Sequence, residues 1–134
     1  MANLHNYHGR YCEAEFESTF LSYLEEAGWS YLAGSSLPRS SMRDVLYTDD
    51  MEFFLNRTNP DLTADEIQQI MDTVRLAGSE SDFATLHKVY DWMVNGIQFT
   101  PQAALPRMVN LIEFEDPEKN VFRAVNQFTV EYTN

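Results

Sequence analysis

The feature that most constrains the fold is a change of hydrophobic period at Gly96. Before this glycine, apolar residues recur at steps of three and four, the spacing of one face of an α-helix. After it, short apolar runs such as Ile97-Gln98-Phe99 are separated by prolines and turn residues, as strands are. A chain that is helical first and extended afterwards is typical of α+β architecture. At 134 residues, we expect a single domain or domain fragment over residues 1–134.

The helical part predicts four helices, over residues 13–27, 49–56, between Thr63 and Gly78, and over 83–95. The third has the clearest start, because Thr63 and Glu66 form a capping-box pattern. For the second helix, Thr48 is the expected N-cap. The first carries an apolar stripe that we expect to face the core, made of Phe16, Phe20, Tyr23, Leu24 and Ala27. The fourth is apolar on more than one face, which predicts a central helix contacted on two sides.

The last third of the chain predicts a β-hairpin. One strand is expected over Val109–Phe114 and a longer one over Val121–Tyr132, with the turn-forming run Asp116–Asn120 between them. The expected fold is therefore about four helices followed by a hairpin.

Charge and composition argue against strong DNA binding by this chain and against a membrane protein. Twenty-one acidic residues against nine basic ones give a net charge of -12, so this chain alone is expected to bind DNA weakly or not at all. Cys12 is the single cysteine, so the chain cannot form an intramolecular disulfide. No signal peptide is visible, and no apolar run is long enough to span a membrane. These features favour a cytoplasmic protein that does not associate with membranes.

Two kinds of catalytic motif are missing from the sequence. No Gly-x-x-x-x-Gly-Lys loop exists to cradle nucleotide phosphates. A PD-(D/E)xK nuclease needs two carboxylates for Mg²⁺ and a lysine two positions beyond the second. Neither Lys88 nor Lys119 follows an acid at that spacing, since Leu86 and Pro117 occupy those positions. We therefore expect no cofactor in this chain and no catalytic residue.

Three segments resemble a known family. They are Glu13-x-x-Phe16-Glu17 with Gly28-Trp29, Asp116-Pro117-x-x-Asn120-x-Phe122, and Val125-Asn126-Gln127-Phe128. Together they resemble the N-terminal region of the R subunit of type I restriction enzymes. One position departs from the pattern, since Val121 stands where the family has aspartate. The resemblance implies the front part of a restriction-endonuclease-like (PD-(D/E)xK) nuclease domain that stops before its catalytic motif, and hence a catalytically silent piece.

The resemblance also implies functions for the parent protein and for single residues. The parent is expected to cleave and translocate DNA with Mg²⁺ and ATP, beside modification and specificity subunits. Glu17 is the candidate helper acid for a metal site, although a solvated glutamate that suits the helix dipole is the favoured explanation from sequence alone. The candidate DNA contacts are Arg39, Arg43, Arg123, Asn126 and Gln127.

Two other classes stay open from the sequence. A small acidic interaction protein, such as a DNA-mimicking antirestriction factor, fits the charge and size, and a helical protein-interaction domain fits the periodicity. If the chain stops inside a nuclease sheet, the strand Val121–Tyr132 lacks a neighbour. An unpaired strand edge then favours a homodimer through this strand.

Overall fold

The structure is a computed structural model that describes residues 12–39, 41–79 and 81–131. Its helices are α1 Glu13–Glu26, α2 Thr48–Thr58, α3 Ala64–Arg75 and α4 Asp82–Asn95. Its strands are β1 Ser30–Ala33, β2 Ile97–Phe99, β3 Arg107–Val109 and β4 Arg123–Asn126. This mixture confirms the α+β class. The chain divides into two compact units, a terminal unit of residues 1–45 and 122–134 and a central unit of residues 46–121.

The terminal unit consists of α1 and a two-stranded parallel sheet. β1 pairs with β4 in the register Ser30 with Arg123 through Ala33 with Asn126. α1 ends at Glu26, one residue before the predicted end at residue 27. Gly28 then turns the chain, because its φ of 95° is a left-handed conformation that glycine adopts at little cost. The chain then enters β1, and the ring of Trp29 packs 5.2 Å from that of Phe122. This unit holds the two ends of the described chain together.

The central unit contains the main hydrophobic core. α2 and α3 share this core with the antiparallel pair β2–β3, in which Ile97 is opposite Val109. The buried residues that form this core are Phe54, Leu55, Leu62, Ile67, Ile70, Met71, Ile97 and Val109. The apolar residues of α2 and α3 in this list recur at steps of three and four or lie next to each other, so each helix buries one face. Gly96 ends α4 with a φ of 87°, as its position predicted.

The predicted helix start is confirmed for α3 and is wrong for α2. The Thr63 hydroxyl accepts from the Glu66 N–H, and the Glu66 carboxylate accepts from the Thr63 N–H, which confirms the capping box. The prediction that Thr48 is the N-cap of α2 is wrong. It is already the first residue of α2, and Tyr47 precedes it without a side-chain cap.

The predicted hairpin is wrong. β3 pairs with β2, while β4 pairs with β1, so the two expected strands belong to different sheets. Asn120 explains the difference, because its side chain bonds both the N–H and the C=O of Glu113 and closes this segment into a loop. β4 also begins later than expected, at Arg123, and Tyr132 lies outside the described residues.

Two predicted helix faces are also wrong. Phe16, Phe20 and Tyr23 of α1 are exposed, and the half-buried face consists of Glu17, Leu21 and Leu24 instead. α4 has no buried residue and is not a central helix. Periodicity marks a stripe but cannot show which neighbour covers it. None of the helices in the described residues combines the length and apolar character needed to cross a membrane.

Candidate functional site

Glu17 and Gln127 meet in the terminal unit although 110 positions separate them in sequence. The Gln127 side-chain Nε2 donates to Glu17 Oε1 at 3.2 Å and lies 3.5 Å from Oε2. Glu17 is half-buried on the side of α1 that faces the sheet, and Gln127 follows the last residue of β4. The amide therefore fixes the carboxylate of the first helix relative to the end of a strand.

Tyr31 and Asn126 form a second contact beside the first. The Tyr31 hydroxyl donates to Asn126 Oδ1 at 2.8 Å. The parallel register makes this contact natural, because Tyr31 is aligned with Ala124, two residues before Asn126 on the same face of the sheet. Tyr31 and Asn126 line a groove of about 300 Å³ together with Glu17 and other residues of α1. We call Glu17, Tyr31, Asn126 and Gln127 the Glu17 cluster.

The backbone behind the cluster is tightly constrained. Gln127 has a φ of 50°, a left-handed conformation that is uncommon for a residue other than glycine. Its carbonyl group lies against the buried Gly34 of the turn that follows β1. A Cβ on Gly34 would be only 2.5 Å from the Asn126 carbonyl oxygen and 2.7 Å from the Gln127 carbonyl carbon. Gly34 therefore permits the close approach that places Gln127 beside Glu17.

The chemistry of the Glu17 cluster is that of one carboxylate oriented by neutral groups. A carboxylate accepts several hydrogen bonds, so Glu17 keeps acceptor capacity beyond its contact with Gln127. Mg²⁺ prefers several oxygen ligands, yet in the described residues no three acidic, histidine or cysteine side chains are placed so that they could hold a metal ion together. The cluster alone does not fit a complete metal site. It fits the role of contributing one acid to a site completed by other residues.

Arg39 holds the terminal unit together. Its guanidinium donates to the backbone oxygens of Asp44 at 3.0 Å and Thr129 at 2.7 Å, and it lies 4.1 Å from the centre of the Phe128 ring. This single side chain connects the loop after β1 with the segment after β4. The segment after β4 is thus in contact with its own unit.

The other predicted DNA contacts lie apart from the cluster. Arg43 is exposed in the loop after Arg39. Arg123 is half-buried, and strand alternation directs it to the face of β4 opposite to Asn126. The structure therefore brings together Glu17, Asn126 and Gln127 from the predicted site, but not the three arginines. Tyr31 and Gly34 were missed, since neither stands in a recognisable motif.

Comparison with known proteins identifies the family. The family described as Type I restriction enzyme R protein N terminus matches residues 10–134. The chain belongs to this family. A Methanocaldococcus jannaschii protein named "Putative type I restriction enzyme MjaIXP endonuclease subunit" is 31% identical over 125 residues, covering 87% of this chain and 12% of that protein. The type I restriction enzyme HindI endonuclease subunit of Haemophilus influenzae is 26% identical over 132 residues, covering 88% of this chain and 12% of that protein.

Membership of the R protein family favours a restriction-enzyme subunit over the other classes of protein that the sequence left open. It confirms the recognised resemblance and does not favour an antirestriction mimic. The chain spans about 12% of the length of the curated relatives that it matches. No solved structure matches it.

The Asp-Pro-x-x-Asn motif of this R protein family member has a structural role here. Pro117 begins a 3-10 turn, Pro117–Lys119, and Asn120 follows it. The Asn120 side chain accepts from the Glu113 N–H at 2.9 Å and donates to the Glu113 C=O at 2.8 Å and to the Pro117 C=O at 3.1 Å. The motif therefore closes a loop of the central unit.

A charged network fixes the central unit of the R protein chain. Arg107 donates to both carboxylate oxygens of Asp61, at 2.7 and 3.1 Å, and to Asn59 Oδ1 at 3.1 Å. The hydrogen bond from Arg107 lowers the pKa of Asp61, and the same bond raises the pKa of Arg107. Backbone N–H groups of Thr63 and Gln102 lower the pKa of Glu66. These groups join the α2–α3 connection to β3 and to the loop before it, which is a structural role.

Proposed function

We propose that this chain forms the N-terminal part of the nuclease domain in the R subunit of a type I restriction enzyme. A restriction-endonuclease-like (PD-(D/E)xK) fold is completed by residues beyond this chain. The whole subunit cleaves and translocates DNA with Mg²⁺ and ATP, together with modification and specificity subunits, in the restriction of foreign DNA. The family match and the names of the two relatives as endonuclease subunits support this proposal.

The observation that carries the proposal is the contact between Glu17 and Gln127. Both residues stand in segments that resemble the R subunit, at opposite ends of the sequence, and the fold joins them. Glu17 acts as an accessory acid of the nuclease site, and Gln127 positions it. Functional groups need to be held to within about 0.5 Å by such supporting contacts. The Tyr31–Asn126 bond and the Gly34 approach hold Gln127 in place from the strand side.

The DNA contacts of the proposed nuclease are sparse in this part of the protein. Asn126 and Gln127 supply amide groups that can bond phosphate oxygens without adding charge, and Arg43 and Arg123 supply positive charge. With a net charge of -12, the chain alone cannot gather much affinity from phosphate neutralisation. Most of the binding energy for DNA therefore comes from the rest of the subunit and its partners.

The test is Glu17→Gln in the whole R subunit, assembled with its modification and specificity subunits. Removing one supporting acid is expected to slow DNA cleavage by roughly 10–100-fold, while ATP hydrolysis and translocation stay unchanged. Glu26→Gln is the matched control, since Glu26 is exposed at the end of the same helix. Equal cleavage by the Glu17 and Glu26 variants contradicts the accessory role.

A further inference from the structure

The outer face of α1 carries a row of exposed aromatic side chains that the described residues of the terminal unit leave uncovered. Phe16, Phe20 and Tyr23 are 65%, 55% and 64% exposed. The rings of Phe16 and Phe20 stack with centres 6.4 Å apart, and Thr19 completes the lining of a groove of about 520 Å³ along the three rings. We call these three residues the aromatic ridge. Glu17 lies on the neighbouring, half-buried face of the same helix.

The size of the aromatic ridge limits what can cover it. Aromatic side chains present roughly 150–250 Å² each, so these exposed fractions correspond to about 350 Å² of open aromatic surface. A stable interface between separate proteins buries about 800 Å² on each partner. The ridge is too small to serve alone as such an interface. It suits a contact within one polypeptide, where tethering raises the effective concentration of the two surfaces.

The charge of α1 narrows the choice further. The helix contains five glutamates and no lysine or arginine. Nucleic acid and anionic membranes are repelled by such a surface. A second copy of the ridge would bring ten glutamates together, which opposes a two-fold pairing. The surface that complements α1 is an apolar strip bordered by lysine or arginine.

α4 shows by contrast why the charge matters. It also exposes apolar residues, including Phe83, Leu86 and Tyr90. However, its charged residues are of both signs, namely Asp82, Lys88 and Asp91, so they do not select a partner. The face of α4 therefore identifies no occupant, whereas the face of α1 does.

We propose that the aromatic ridge is the docking surface for a basic-bordered apolar strip in the part of the R polypeptide that lies beyond this N-terminal region. The inference rests on the proposed function, because it requires a longer R polypeptide. The two relatives are polypeptides of this kind, since the matched region is 12% of their length. Docking on the outer face of α1 fixes the helix whose inner face carries Glu17. The remainder of the subunit thereby orders the accessory acid of the nuclease.

The test compares hydrogen exchange of α1 in the 134-residue chain and in the whole R polypeptide. Amides of α1 are expected to exchange roughly ten-fold or more slowly in the whole polypeptide. Phe20→Ser is expected to remove this difference. Phe114→Ser is the control, because Phe114 is a phenylalanine of the central unit with comparable exposure, 64% against 55% for Phe20. Raising the salt concentration from about 0.05 M to about 0.5 M is expected to weaken the protection, since it screens the charged border.

Equal exchange rates in the two proteins overturn the proposal, as does protection that survives Phe20→Ser or high salt. Protection that grows with the concentration of the 134-residue chain identifies a second copy as the occupant and also overturns it. Circular dichroism of the Phe20→Ser chain confirms that an exposed substitution leaves the helix folded. Hydrogen exchange and DNA cleavage are separate measurements. Protection of α1 together with normal cleavage by the Glu17→Gln subunit therefore refutes the accessory role of Glu17 and leaves the docking surface intact.

Discussion

Gly34→Ala is expected to destabilise the terminal unit and to separate Gln127 from Glu17. The three atoms nearest to an added Cβ all belong to the backbone of Asn126 and Gln127, two of them at 2.5 and 2.7 Å. Flexible side chains could move aside, but these backbone atoms are held by the pairing of β4 with β1. Overpacking of this kind costs about 1–3 kcal/mol. We expect the upper end, about 3 kcal/mol, because the end of β4 must shift as a unit.

The assay is urea unfolding followed by the fluorescence of Trp29, which packs on Phe122 in the terminal unit. A Trp92→Phe background removes the signal of the central unit. With a denaturant dependence of about 1–2 kcal/mol per molar, the midpoint is expected to fall by about 2 M urea. Ser35→Ala, at the exposed next residue, is expected to leave the midpoint unchanged.

Gly78→Ala provides the same substitution at a position where an added Cβ meets nothing within 4 Å. By circular dichroism, its free energy of unfolding is expected to stay within about 0.5 kcal/mol of the parent chain. A Gly34→Ala chain as stable as Gly78→Ala would refute the close approach of Gly34 and Gln127, and with it the backbone support of the Glu17 cluster.

The remaining predictions concern the central unit and the whole chain. Because the folded-state pKa of Asp61 lies below its ordinary value of 3.8, its carboxylate stabilises the fold above that pH, and the contribution disappears as pH falls through the lower folded value. Asp61→Asn should therefore lower the free energy of unfolding at pH 7 and lose its effect in strong acid, as a urea titration at both pH values will show; an equal effect at both refutes the ion-pair account. Asn120→Ala leaves the Glu113 backbone groups without their partner and is expected to cost about 1–3 kcal/mol, whereas no change in the urea midpoint would show that the loop closes without it. Thr63→Ala removes the helix cap and should cost about 1 kcal/mol, and an unchanged thermal midpoint would contradict the capping box. The 134-residue chain should neither cleave plasmid DNA with Mg²⁺ or Mn²⁺ nor bind duplex DNA at micromolar concentration in physiological salt, and nicking or tight binding in a gel assay would contradict this.

Features that depend on neighbours in sequence could be predicted. The capping box at Thr63 and the helix ends at Gly28 and Gly96 are each encoded within a few residues, and all three are present. The buried face of α3 follows from the same local spacing. Local turn chemistry was therefore sufficient for the start of α3 and for the ends of α1 and α4, although it misplaced the start of α2.

Features that depend on distant partners could not be predicted. Alternation identified extended segments, but β4 pairs with β1 near the other end of the chain, a choice that no local pattern encodes. The aromatic stripe of α1 implied burial, yet the helix turns Glu17 toward the sheet instead. Glu17 and Gln127 were each singled out from sequence, while their contact depends on this non-local pairing.

We propose that Glu17 and Gln127 act as one unit in DNA cleavage, and a double-mutant cycle in the whole R subunit tests this proposal directly. The single variants are Glu17→Gln and Gln127→Leu. The rate of DNA cleavage is measured for each variant, and the rate of ATP hydrolysis, which is expected to stay unchanged, is the control. If Gln127 acts by positioning Glu17, the double variant cleaves no more slowly than Glu17→Gln alone, because interacting residues are not additive. If the two losses multiply in the double variant, the residues act independently and the account is contradicted.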